Sequence, residues 1–243
     1  MSRIISFGKS DAGLRRSNNE DALVLKPELG LFAVADGMGG AASGEVASRI
    51  FSDTAYEVFS GISKRSEEET VEFIQKTFQL SHERILSSSQ QNPEHKGMGC
   101  TAELIAFYNT NYVMGHVGDS RTYLLRQGQL RQITKDHSLV QEQVDQGIIS
   151  SHEVRTHSLK HVILRAVGID ETLALDIIKG KCLDGDIFLL CSDGLTDMVE
   201  DSVIQQTLAL SLNIDQKVEK LIDSAKSAGG YDNITTILCE ILP

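Results

Sequence analysis

The stretch VADGMGGAASGE, Val34 to Glu45, joins an apolar run to a glycine-rich turn and the start of a helical pattern. The apolar run Leu31–Ala35 has the length of a buried strand, and an acid, Asp36, follows it directly. Three glycines then occur within four residues. An acid followed by glycine is typical of a turn, but it also suits a site where a bound ion must approach the backbone.

Composition and charge limit the classes of function. The chain has 243 residues, of which 41% are hydrophobic and three are proline, as in an ordinary globular protein with a large core. Its net charge is −11, and no Lys/Arg-rich run is present, which argues against nucleic-acid binding. The acid surplus has two readings: it maintains solubility, or it gathers carboxylates for cations.

Domain organisation and location are predicted from what the chain lacks. No repeat, low-complexity tract or linker divides it, so residues 1–243 are predicted to form a single domain. The four cysteines have no CxxC spacing, and those at 182, 191 and 239 lie in apolar surroundings typical of buried thiols in a reducing compartment. Neither a signal peptide nor a membrane span of ~18 apolar residues is recognisable, so we expect a cytoplasmic protein with no membrane contact.

Strand and helix patterns favour a layered α+β fold rather than repeated βαβ units. Short turns such as Asn109–Asn111 and Arg126–Gly128 indicate antiparallel hairpins. Strands are predicted at Leu31–Ala35, Ala102–Tyr108, Tyr112–Val117, Thr122–Leu125, Ile187–Cys191 and Ile234–Ile241, and helices at Gly44–Ser60, Ser66–Ser88 and Asp215–Ala228. In the first helix Val46, Ile50 and Val58 share one face, and Ser66 with Glu69 has the spacing of a capping box.

Three further acids lie at strand ends. Asp119 follows a strand in VGDSR, Asp193 follows another in FLLCSDGL, and Asp232 precedes a strand in GGYDNIT. Each is on its own most simply a turn residue. Together with Asp36 they favour convergence at one end of a sheet.

Oxygen ligands of this kind favour Mg²⁺ or Mn²⁺ over zinc. The glycine after Asp36 leaves the Gly37 carbonyl available as a further ligand. The same turn matches a dinucleotide fingerprint, but Asp36 would place negative charge beside the pyrophosphate, and Asp53 and Glu57 fall in a helical pattern instead of ending a second strand. Nucleotide binding is therefore disfavoured.

The segment DAGLRRSNNED, Asp11 to Asp21, holds two adjacent arginines and the pair Glu20-Asp21. It is either a charged surface loop or an arginine fork for a phosphate with two more carboxylates for a metal site.

Seven motifs in order resemble the metal-dependent protein phosphatases of the 2C family, bacterial branch: RSNNED, VADGMGG, GMGCT, VGDSR, TKDHS, CSDGL and GGYDNIT. Each is weak alone, but together they extend over nearly the whole chain. The resemblance implies an α+β, four-layer α-β-β-α sandwich in which two antiparallel sheets are flanked by helix pairs.

The resemblance also implies a role for individual residues. Asp36 would bridge two divalent cations, Mn²⁺ or Mg²⁺, and contribute to catalysis with Asp193 and with Arg16, which would bind the phosphate. The implied metal-site residues are Asp36, Gly37, Asp193, Asp232 and Asp21, with Asp119 at a weaker third site shared with Asp193, and Glu20 and Asn233 supporting them; Asp21 and Glu20 would hold metal-bound waters. Arg15 does not match the family pattern and is interpreted as a surface charge.

The implied reaction is hydrolysis of phosphoserine and phosphothreonine on proteins by a metal-bridging hydroxide, opposing a cytoplasmic Ser/Thr kinase, with the protein acting as a monomer. The alternative is a phosphatase-like scaffold without turnover; a phosphodiesterase or nuclease conflicts with the acidic charge. Met38 stands where many eukaryotic members have histidine, which leaves the general acid open. Residues 138–168 match the family's flap, which either positions substrate or has no catalytic role. His137 and His116 are interpreted as structural.

Overall fold

The computed structural model of the chain describes residues 3–39, 43–61 and 65–242. In those ranges the strands are β1 (Arg3–Asp11), β2 (Asp21–Lys26), β3 (Leu31–Met38), β4 (Gly99–Cys100), β5 (Ala102–Tyr108), β6 (Asn111–Val117), β7 (Arg121–Arg126), β8 (Gln129–Gln132), β9 (Asp176–Lys181), β10 (Ile187–Cys191) and β11 (Ile234–Leu242). The helices are α1 (Gly44–Phe59), α2 (Glu67–Gln91), α3 (Leu139–Asp145), α4 (Asp193–Thr196), α5 (Asp201–Ala209) and α6 (Ile214–Ser227).

The strands form two antiparallel sheets. The first has the order β1-β11-β10-β7-β8, and the second has the order β2-β3-β5-β6-β9, with β4 paired to β3. The two predicted hairpins are present as β5–β6 and β7–β8. Both pairings are antiparallel because only two residues connect the strands in each hairpin.

Three apolar cores hold the layers together. The core between the sheets contains Phe107 of one sheet and Phe188 of the other, with ring centroids 5.3 Å apart in an edge-to-face contact. A second core packs α1 and α2 on the β2–β9 sheet, and a third packs α5 and α6 on the β1–β8 sheet. The predicted four-layer α-β-β-α sandwich is therefore confirmed.

The helices form for recognisable local reasons. Ser66 Oγ accepts from the Glu69 backbone N–H at 3.2 Å, and Glu69 accepts from the Ser66 N–H at 2.7 Å, which confirms the predicted capping box of α2.

The predicted face of α1 is displaced by one residue: Ala47, Phe51 and Phe59 are buried against the sheet, whereas Val46, Ile50 and Val58 are only partly buried. The sheet beneath the helix selects that face, because the bulky phenylalanines fill more of the core.

Residues 138–168 form a segment of little regular structure beside the sandwich, with α3 and a short 3₁₀ turn. The isolated bridge between Cys100 and Val167 attaches it to the rest of the fold, and a second bridge, between Ser138 and Ile163, closes the segment on itself. All four cysteines are buried and unpaired. Among the described ranges, no helix combines the length and the apolar character needed to cross a lipid bilayer.

Candidate metal centre

Adjacent strands bring the first two acids together. Asp21 begins β2 and is the register partner of Asp36 in β3. β3 continues to Met38, beyond the predicted end at Ala35, because Gly37 and Met38 pair with β4. Asp36 thus lies inside the strand, with its N–H donated to Thr101 Oγ1 at 3.3 Å.

The other sheet contributes Asp193 and Asp232 from the same end. Asp193 is the first residue of α4 after β10, and Asp232 precedes β11, which pairs with β10. Ser192 joins the two sheets here: its N–H donates to the Thr235 carbonyl at 3.0 Å, and its hydroxyl donates to Asp21 Oδ2 at 2.8 Å. The predicted convergence of acids therefore has a direct structural basis.

A cavity of about 500 Å³ opens between these strand ends. Most of the predicted site residues line it; the complete lining is Arg16, Glu20, Asp36, Gly37, Met38, Gly39, His161, Ile163, Asp193, Tyr231, Asp232 and Asn233. Asp21 and Asp119 are not in the lining. Asp21 lies opposite Asp36 on the neighbouring strand. Asp119 is buried in the turn after β6, from which its charge still raises the pKa of Asp36 and Asp193.

The carboxylates of this cluster are partly desolvated and repel one another. Burial, and then repulsion from the neighbouring carboxylates, raises the pKa of Asp36 and Asp193 well above the usual range. Burial likewise raises the pKa of Asp21 to about 6 and that of Asp119 to about 7. One buried oxygen on each of Asp21, Asp119 and Asp193 has no hydrogen-bond partner. Unpaired oxygens in an all-oxygen cluster fit hard divalent cations, which would supply the missing charge.

Gly37 is required by close packing. A Cβ on this residue would lie 2.1 Å from the Gly44 carbonyl oxygen and 2.6 Å from that of Glu20. The glycine therefore lets β3 meet the start of α1, whereas the sequence pattern had indicated a role in the approach of a bound ion. The third glycine of the motif, Gly40, lies outside the described residues.

Arg16 and Asn233 organise the loop before β2. Arg16 Nη2 is 2.7 Å from Asp232 Oδ2, so the guanidinium faces the carboxylate cluster. Asn233 accepts from the Glu20 N–H at 2.8 Å and donates to the carbonyls of Ala12 at 3.1 Å and Asn18 at 2.9 Å. Asn233 thus fixes the position of the loop relative to β11.

The two histidines predicted to be structural, His116 and His137, bond to the backbone of neighbouring segments. His116 is buried in β6, contacts Glu103 and bonds the Lys135 carbonyl at 2.8 Å. His137 Nδ1 accepts from the Gly118 N–H at 3.1 Å, which anchors the turn that carries Asp119. These contacts agree with the structural roles predicted for both.

Comparison with known proteins places this arrangement in a family. A family model described as Protein phosphatase 2C matches residues 14–239. The chain belongs to the protein phosphatase 2C family. The "Serine/threonine phosphatase stp" of Listeria monocytogenes serotype 4b (strain F2365) is 37% identical over 239 residues, covering 96% of this chain and 94% of the relative.

Solved structures of this phosphatase 2C family agree with the fold. The crystal structure of Mycobacterium tuberculosis PstP/Ppp matches with a TM-score of 0.92 at 34% identity, covering 99% of each chain. The catalytic domain of PstP "in complex with 2 Manganese ions" matches with a TM-score of 0.89 at 33% identity, again over 99% of each chain.

Two residues beside the candidate metal centre, Asp197 and His161, were not predicted from the sequence. Asp197 and His161 lie with Asp193 in a group whose nitrogen and carboxylate oxygens are all within 4.8 Å of one another. Asp197 also pairs with Lys160 at 2.8 Å. Asp197 lies one helical turn after Asp193, a spacing that could have been noticed, whereas no local signal indicates that His161 folds back onto this site.

Proposed function

We propose that the chain hydrolyses phosphoserine and phosphothreonine esters on proteins in a reaction that requires divalent cations. One observation supports this most directly: a cluster of carboxylates with buried, unpaired oxygens lies at a cavity that Asp36, Asp193, Asp232 and Arg16 line. Family membership and the phosphatase names of the relatives support the same reaction. The manganese ions of the related PstP structure support the choice of cation.

In this proposal Asp36, the Gly37 carbonyl, Asp193 and Asp232 hold two cations, and Asp119 with Asp193 holds a weaker third. Bound divalent cations generate a nucleophile from water near neutral pH and neutralise charge on the phosphate oxygens. Asp21 and Glu20 orient water at the edge of the cluster, and the backbone of Glu20 is held by Asn233.

Arg16 binds the phosphate. Its guanidinium presents several donors in a plane, which suits a phosphate ester, and Asp232 holds it at the cavity. Because Arg16 stays charged at every relevant pH, it contributes binding and charge stabilisation and does not transfer protons. Met38 lines the same cavity and has no proton to donate, so protonation of the leaving group depends on another donor.

We propose further that residues 1–243 act as one catalytic domain with a flap at 138–168. His161 and Ile163 of this flap line the cavity, and Lys160 pairs with Asp197, which supports a role in substrate positioning. We also propose that the protein acts as a monomer in the cytoplasm, where it removes the phosphate groups that a Ser/Thr kinase adds to proteins. Four buried, unpaired thiols support a reducing compartment.

The test is hydrolysis of matched phosphothreonine and phosphoserine peptides with Mn²⁺, followed by excess EDTA and then by restored Mn²⁺. We expect turnover that disappears with chelator and returns with metal, and no hydrolysis of a phosphodiester. Peptide binding without turnover under every metal condition would instead favour the scaffold.

A further inference from the structure

An exposed platform stands at one rim of the cavity. It consists of Leu14, Arg15 and Tyr231, and we call these three residues the Arg15 platform. Leu14 is 59% exposed and Tyr231 is 57% exposed, although both are large apolar side chains. The Arg15 guanidinium lies over the Tyr231 ring, 5.7 Å from its centroid. Tyr231 also lines the cavity, so the platform is continuous with the candidate metal centre.

The backbone beneath the platform is held in place. The Leu14 N–H donates to the Gly230 carbonyl at 2.8 Å. Gly13 has a positive φ of 75°, and a Cβ there would lie 2.2 Å from the Asp232 carbonyl oxygen. The loop is thus packed directly against the segment that carries Tyr231 and Asp232, and the platform residues are presented to solvent on a fixed support.

Arg15 is the uncompensated cation of this rim. Arg16 is paired with Asp232, and on the flap side Lys160 is paired with Asp197. Arg15 has only the aromatic contact, with no carboxylate in ion-pairing range among the residues that the structure describes. The cavity beside it is lined by the carboxylates of Glu20, Asp36, Asp193 and Asp232. Arg15 therefore offers an acidic side chain of a substrate a cation that no carboxylate of the described residues already pairs.

We propose that the Arg15 platform is a substrate subsite that selects phosphoproteins with an acidic residue close to the phosphorylated residue. This rests on the proposed function. Arg15 pairs with the acidic side chain, while Leu14 and Tyr231 cover its aliphatic part and the adjoining backbone. Arg15 adjoins Arg16 and Tyr231 adjoins Asp232 in the chain, so we expect the acidic residue within a few positions of the phosphothreonine.

The experiment compares three phosphothreonine peptides that differ only in the flanking residues, which are glutamate, glutamine or lysine. Values of kcat/KM are measured with Mn²⁺ for the natural protein, Arg15→Gln, Arg15→Glu and Lys76→Glu. Lys76 is exposed on α2, in the outer helix layer, so its reversal makes the same change in net charge away from the cavity. The readout is the ratio of kcat/KM for the glutamate peptide to that for the lysine peptide. Changes in folding or metal content affect both values equally and therefore cancel in this ratio.

The natural protein should prefer the glutamate peptide. Arg15→Gln should reduce the ratio several-fold, and Arg15→Glu should lower it by about tenfold or more, mainly through KM, as expected for reversing a partly exposed ion pair. Lys76→Glu should change the ratio by less than about twofold. Hydrolysis of all three peptides with a ratio that Arg15→Glu leaves unaltered would overturn the subsite alone. Failure to hydrolyse any peptide would overturn the proposed function itself.

Discussion

Asn233 is buried beside the cavity, and its replacement by alanine should destabilise the loop that carries Arg16 and Glu20. Its side chain makes three hydrogen bonds to backbone groups of residues 12, 18 and 20. A hydrogen bond of this kind contributes about 1 kcal/mol net. Water can reach part of the gap, since Asn233 lines the cavity. We therefore expect the free energy of unfolding to fall by about 3 kcal/mol.

The assay is equilibrium unfolding in urea with excess EDTA, so that metal binding does not contribute to the measured free energy. In a thermal scan the same loss corresponds to a fall in Tm of about 6–12 °C for a chain of this length. Asn18→Ala is the matched control. Its side chain makes one exposed hydrogen bond to Glu20 Oε1, so its removal should cost less than about 0.5 kcal/mol.

A value for Asn233→Ala within about 0.5 kcal/mol of the natural protein would refute the reasoning, because it would mean that the three bonds do not hold the loop. An equal loss for Asn18→Ala would also contradict it, since the effect would then belong to the loop as a whole.

Three further predictions concern the site and the core. The Asp193→Ala variant should lose most turnover and bind Mn²⁺ more weakly in calorimetry. A variant with the Mn²⁺ affinity and turnover of the natural protein would show that Asp193 is not a metal ligand. Arg16→Ala should raise KM more than it lowers kcat in steady-state assays, and an unaltered KM would assign the phosphate to other residues. Burial lowers the pKa of His116, but the Glu103 carboxylate and the Lys135 carbonyl outweigh it and raise the pKa to about 9. Because unfolded histidine titrates near 6.5, this stabilisation is complete below about pH 6.5 and is lost as the pH rises through about 9, by up to about 1.4 kcal/mol per pH unit. Urea unfolding of the natural protein and His116→Asn across this range should diverge accordingly; parallel curves would contradict it.

The strands that were missed share a physical cause. β1 and β9 lack the strong local periodicity of the strands that were predicted. β1 mixes apolar and polar residues, and it becomes a strand because it pairs along its whole length with β11, with Arg3 opposite Leu242. The free energy of such a pairing depends on a partner from the other end of the chain, so a local window does not contain it.

Some residues of the candidate site could likewise be predicted from local sequence, whereas their contacts depend on tertiary packing. The chemistry of Asp36, Asp193 and Asp232 could be predicted because each acid follows or precedes a strong strand pattern. Residue type and spacing did not distinguish Arg15 from Arg16, since the two are adjacent and chemically identical, and only the family resemblance assigned the phosphate to Arg16. Packing of their loop against Tyr231 and Asp232 directs Arg16 to the carboxylates and Arg15 to the aromatic ring.

By itself, the sequence determined the main strands, the hard-cation character of the acids and the family resemblance, because residue type and hydrophobic spacing are properties of the chain alone. Only the tertiary structure decided which acids meet, which face of α1 is buried, and why Gly37 admits no side chain. These depend on strand register, sheet stacking and backbone contacts between distant segments, and such interactions exist only once the sandwich has assembled.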